Sequence, residues 1–170
     1  MQTLSMTTNG IVLKRMLKDL HRYGMSQLNI SLDTLDPMKF ELITRRKGFE
    51  RVMDSIEESL RMQFQSVKVN VVVMRGVNDS EVADFVELTR TKNLNIRFIE
   101  YMPFDGTLPP KKQTPINWNN QELTTNIITG NKWSEKKLVP YQELIGEIEQ
   151  RFQKLERLTD DPNDTTKVGF

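Results

Sequence analysis

The run VKVNVVVMRG at residues 67–76 limits the architectures open to this chain more than any other stretch. It is β-branched and apolar, with Lys68 and Asn70 set into it. Strand side chains alternate between faces, so Lys68, Asn70, Val72 and Met74 share one face and Val67, Val69, Val71 and Val73 the other. The valine ridge needs burial under a helix. An ammonium on the opposite face costs free energy unless it is paired or meets a ligand. Taken alone, the strand reads as an edge whose Lys68 tip reaches back to water.

The neighbouring segments weigh against that bland reading. Residues 3–9 alternate as a strand and end at the Asn9-Gly10 turn signal. Val12, Leu13, Met16, Leu17 and Leu20 follow helical spacing, with Gly24 as the stop. Residues 28–33 alternate again, and Asp36-Pro37 supplies an N-cap and a first-turn proline for a short helix reaching about Arg46. Gly48 breaks it, and Val52, Met53, Ile56 and Leu60 mark another helix. Asn78-Asp79 opens a helix with Val82, Phe85, Val86 and Thr89 inward, and residues 95–102 form a fourth strand. This rhythm predicts parallel strands joined by crossover helices. Parallel strands are normally apolar on both faces. Here one face of the first three carries Ser5, Thr7, Asn9, Asn29, Ser31, Asp33, Lys68 and Asn70. Three polar faces together point to a ligand cavity at the carboxyl ends of the strands, where (β/α) barrels keep their sites. Four strands are too few for a closed eight-stranded barrel, so an open arc is expected.

Composition narrows the function classes. Net charge is +1 with both signs mixed, and no basic stripe supports nucleic acid or a membrane surface as partner. No run is long and apolar enough to cross a bilayer, and no targeting segment is visible. Cysteine is absent, which excludes disulfides and thiolate metal ligands within these 170 residues. Residues 107–130 hold Pro109-Pro110, Lys111-Lys112 and Pro115, lack periodicity and are long for a connection, so a flexible insertion is expected. Pro140 then starts an amphipathic helix with Tyr141, Leu144, Ile145, Ile148, Phe152 and Leu155, and a polar tail follows from 159. The expected organisation is a partial barrel over 1–106, an insertion over 107–130, a continuing helical region over 131–158 and a tail over 159–170.

MTTNG at 6–10, NISLDTLDPMKF at 29–40, RRKGFERV at 45–52, VKVNVVVMRGVND at 67–79 and IRFIEYMPFDG at 96–106 resemble the molybdenum-cofactor biosynthesis protein A family, in its animal form. NKWSEKK at 131–137 resumes the likeness. These are radical S-adenosylmethionine enzymes, GTP 3′,8-cyclases, which catalyse the first step of molybdenum cofactor biosynthesis. The resemblance implies an α/β fold of the partial (β/α) barrel type. It implies S-adenosylmethionine and two 4Fe-4S clusters as cofactors, GTP as partner, and for full-length animal enzymes a homodimer and the mitochondrial matrix. Two departures stand out. Residues 107–130 separate segments that are contiguous in the family, as a retained intron, a mispredicted exon or a loop insertion would. Both cluster-binding cysteine sets of the family are missing, which implies a central fragment inactive by itself.

Carried over by motif, Thr7 in MTTNG, Lys68 in VKVN and Arg97 in IRFIEYM resemble GTP contacts. Ser31 in NISLD and Met102 in IRFIEYM resemble contacts to S-adenosylmethionine. No catalytic or metal-binding residue is implied. Without the family, Thr7 and Ser31 read as ordinary strand or capping hydroxyls, and Met102 as core. By alternation Arg97 lies opposite Phe98, Glu100 and Met102, so both contacts need a bulge or a backbone atom. Two other classes stay open. One is a non-catalytic nucleotide-binding or interaction module. The other is an unrelated barrel enzyme using Lys68 as a Schiff-base nucleophile.

Overall fold

The computed structural model describes residues 3–102 and 135–152, together with the backbone of 156–157 and 168–169. The expected 107–130 insertion and the tail's side chains lie outside the described residues. Four strands, β1 (Leu4–Thr8), β2 (Met25–Ser31), β3 (Ser66–Val73) and β4 (Asn95–Glu100), form one sheet in sequence order. Every pairing is parallel. Between them run α1 (Leu13–Arg22), α2 (Pro37–Thr44), α3 (Phe49–Arg61) and α4 (Val82–Thr91). A 3-10 turn at Asp79–Glu81 leads into α4, where sequence spacing suggests one continuous helix. A last helix, α5 (Tyr141–Arg151), packs on α4. Strands β5 (Glu156–Arg157) and β6 (Val168–Gly169) pair antiparallel in a separate small sheet.

The valine ridge behaves as its pattern demands. Val67, Val69, Val71 and Val73 are buried, with Leu28 and Ile30 of β2 beside them and Phe85 of α4 above. Phe85 meets Phe98 of β4 edge to face, with ring centroids 6.4 Å apart. The α1–α3 layer is fastened by a polar contact as well as by Leu13, Leu17, Val52 and Ile56. Ser55 is fully buried; its hydroxyl donates to Gly10 O (2.7 Å) and accepts the Lys14 N–H (3.1 Å). Gly10 is required there: its φ is +75°, and a Cβ would stand 3.0 Å from the Ile30 side chain and 3.1 Å from that of Val52.

Not every apolar residue at helical spacing is buried. Val12 and Met16 stay exposed beside the buried Leu13 and Leu17, and Tyr141 is exposed while Leu144 and Ile148 are buried. A 3.6-residue period fixes which residues share a stripe, but the width of the covered stripe depends on what packs there. α2 ends at Thr44, before Arg46, because Arg45 adopts a left-handed C-cap conformation at φ 57°. Its start is as expected: the Asp36 carboxylate accepts the N–H groups of Met38 (2.8 Å) and Lys39 (3.3 Å).

Candidate functional site

Register places the polar residues in rows across the sheet. Thr7 pairs with Asn29, Asn29 with Lys68 and Lys68 with Asn95, one row over all four strands. One step towards the carboxyl ends, Ser31 pairs with Asn70 and Asn70 with Arg97. One step the other way, Ser5, Gln27 and Ser66 make a third row. Neighbours in a row are about 4.8 Å apart and successive same-face rows about 6.6 Å. Thr7, Ser31, Lys68 and Arg97 therefore share one face, opposite the helices. None of the four is fully buried, whereas Leu28, Ile30, Val69 and Val71 on the other face are.

The tension between Arg97 and Met102 has a simple resolution. Arg97 is on the polar face beside Asn70, and Phe98 is on the helix face beside Val71. β4 ends at Glu100, whose carboxylate accepts the Tyr141 N–H at 2.8 Å. Met102 follows the strand, so strand alternation does not govern it, and its side chain is 57% exposed, against the core reading of that residue.

Three further polar groups line this face. The Asn29 amide nitrogen donates to Met6 O at 3.5 Å, across to β1. Asn70 Oδ1 is buried and lacks a hydrogen-bond partner among the described residues. A buried acceptor left unmade costs on the order of 1–3 kcal/mol, so this atom is poised for a donor. Asp33, just past β2, accepts the Val72 N–H at 2.8 Å, in effect prolonging the β2–β3 ladder. Burial pushes its carboxyl above the usual 3.8, and the Val72 hydrogen bond opposes that only in part. The alternating pattern marked Asn29, Asn70 and Asp33 as polar-face residues. Nothing local marked Asn70 Oδ1 as unpaired or Asp33 as desolvated, because both depend on neighbours about 40 residues distant in the case of the Asp33–Val72 contact (39 apart).

Asp33 gives a pH-dependent prediction. Its folded-state pKa lies above the unfolded value, so the ionised form destabilises the fold at neutral pH. That cost is relieved as pH falls through the raised pKa and is gone below 3.8. Asp33→Asn keeps an acceptor for Val72 and removes the charge. The variant is expected to melt higher than the parent at neutral pH, with the gain shrinking on acidification. Thermal melts across that range check it; a gain independent of pH would rule out the charge as cause.

Residues 2–89 match the sequence profile of the radical SAM superfamily. The chain belongs to the radical SAM superfamily. It is 46% identical over 167 residues to the mitochondrial GTP 3′,8-cyclase of Arabidopsis thaliana, covering 98% of this chain and 37% of that protein. It is 44% identical over 168 residues to molybdenum cofactor biosynthesis protein 1 of Bos taurus, covering 99% of this chain and 23% of that protein. The chain thus spans well under half the length of these relatives. The fold is also similar to that in the structure of TYW1 with a lysine-pyruvate adduct bound, with a TM-score of 0.55 at 19% identity, over 91% of this chain and 43% of that one. At that identity the likeness speaks to the fold alone.

Cofactor fit can be judged from the donors present. A hydroxyl at Ser31 beside the unpaired Asn70 Oδ1 suits a polar cosubstrate carrying hydroxyl or ammonium donors, as S-adenosylmethionine does. An iron–sulfur cluster does not fit these residues, since its thiolate ligands are lacking in a chain without cysteine. Among the described residues no three His, Asp or Glu side chains gather as a metal site either.

Proposed function

We propose that this chain forms the nucleotide-facing wall of a GTP 3′,8-cyclase, the enzyme of the first step of molybdenum cofactor biosynthesis. The observation that carries the proposal is the paired rows Thr7–Asn29–Lys68–Asn95 and Ser31–Asn70–Arg97 on a face that parallel sheets ordinarily keep apolar. Cations suit the phosphates of GTP, and Thr7, Lys68 and Arg97 are assigned to that ligand. Ser31 and Met102 are assigned to S-adenosylmethionine, which in this family supplies the oxidising equivalent for hydrogen abstraction from the GTP ribose. The residues of this wall bind and orient; cofactor chemistry is the cofactor's own. Cluster ligands would come from outside these 170 residues, and the mitochondrial matrix is the matching compartment.

A second reading, a nucleotide-binding module without redox chemistry, is favoured by the absence of cysteine. Both readings require nucleotide binding, so titration with GTP followed by calorimetry tests them together. Saturable binding of GTP, competed by GDP more strongly than by guanosine, is the expected result. Binding indifferent to the phosphates would overturn the assignment of Lys68 and Arg97.

A further inference from the structure

The regular β2–β3 ladder stops where the Leu32 N–H meets Asn70 O at 3.0 Å. Beyond it, residues 33–35 are held by side chains from the far end of β3 and the turn after it. Asn78, 1% exposed, donates from its amide nitrogen to Asp33 O (2.6 Å) and Val72 O (2.8 Å), and its Oδ1 accepts the Met74 N–H (2.7 Å). Glu81, 8% exposed, sits at the end of the same turn. Its carboxylate accepts from Thr34 Oγ1 (2.7 and 3.0 Å to its two oxygens), the Leu35 N–H (2.7 Å) and Lys39 Nζ (2.8 Å).

Burying a carboxylate is costly unless every strong acceptor site is used. Glu81 meets a hydroxyl, an amide and an ammonium, all from the β2–α2 junction, residues 34–39. Thr34, fully buried, passes the constraint on by accepting the Asp36 N–H at 3.1 Å. The main apolar core lies under the other face of the sheet and does not include this junction's polar groups. The junction begins immediately after Ser31 and Asp33, the two polar-face residues at the β2 carboxyl end.

We infer that Glu81 is a positioning residue for the site: through Thr34, Leu35 and Lys39 it fixes the β2–α2 junction against the end of β3, and so sets where Ser31 and Asp33 stand. Its carboxylate is taken up by these three partners, so Glu81 acts through the junction. Lys68 lies one row deeper, inside a strand paired on both sides, and does not depend on it. The consequence for ligands rests on the assignment of Ser31 to S-adenosylmethionine.

The test compares Glu81→Ala and Glu81→Gln with the parent chain. Amide exchange is read at Leu35 and Asp36, with Ile30 and Val69 as reference strands. Glu81→Ala is expected to speed exchange at Leu35 and Asp36 at least about tenfold, the scale of one lost charge-assisted hydrogen bond. The reference strands should hold, and Glu81→Gln should restore most of the protection because it keeps an acceptor. In parallel, S-adenosylmethionine affinity should fall in Glu81→Ala while GTP affinity stays within about twofold, a change too small to signal loss of a contact. Unchanged exchange at Leu35 would overturn the inference, as would equal loss of both affinities, which marks general unfolding. If the parent chain binds no S-adenosylmethionine, the assignment of Ser31 fails instead, and exchange still decides whether Glu81 positions the junction.

Discussion

Anaerobic reconstitution of the 170-residue chain with iron and sulfide, followed by S-adenosylmethionine and a strong reductant, is expected to give no 5′-deoxyadenosine above a protein-free control. The expectation follows from donor chemistry. Clusters that cleave S-adenosylmethionine are held by cysteine thiolates, and the chain has none among its 170 residues. Its one histidine, His21, stands edge-on to Phe64 at a centroid separation of 5.1 Å, on the helix side of the sheet. The effect is all-or-none, which makes the measurement decisive. Product from the pure chain would overturn the reading in which cluster ligands come from elsewhere. Absence of product leaves the two proposed readings, and the flanking coding sequence separates them. Cysteine-rich sequence on both sides would favour the cyclase; its absence would favour the binding module.

Local signals carried much of the architecture. Alternation in β2 and β3 set both faces correctly, since Ile30, Val67, Val69 and Val71 are buried and Asn29, Lys68 and Asn70 lie opposite. The Asp36-Pro37 helix start needed only its own neighbours. What remained hidden depends on contacts distant in sequence. Nothing in the spacing around Glu81 announces Thr34, 47 residues away. An amphipathic reading counts a glutamate as surface, yet three donors from another element bury this one. Leu4 shows the converse. Its alternation suggests burial, but β1 is the first strand in the sheet order, and Leu4 remains 50% exposed. The site was legible as a pattern of polar rows. Its electrostatic detail, the desolvated Asp33 and the unpaired Asn70 Oδ1, was not, because burial is set by the whole sheet.

Replacing Lys68 by alanine is expected to weaken GTP binding by about ten- to a hundredfold. A hydrogen bond to a charged group contributes roughly 1.5–3 kcal/mol, and each 1.4 kcal/mol is a factor of about ten. Lys68 stands in mid-strand between Asn29 and Asn95, so its backbone is fixed by both neighbouring strands before any ligand arrives. Only side-chain freedom is then lost on binding, with no backbone ordering added to it. The buried side of β3 is untouched by the substitution, so the melting temperature should move far less than the affinity. Lys68→Arg should retain part of the binding, because the charge survives while the compact ammonium geometry is lost. Raising the salt concentration should weaken the parent's affinity more than that of Lys68→Ala, since one screened charge has been removed. Calorimetric titration of the three proteins at two ionic strengths measures all of this. Wild-type affinity in Lys68→Ala would place the phosphates elsewhere. Borohydride trapping of a carbonyl compound on Lys68 would instead give the lysine a covalent role, which a phosphate contact does not predict.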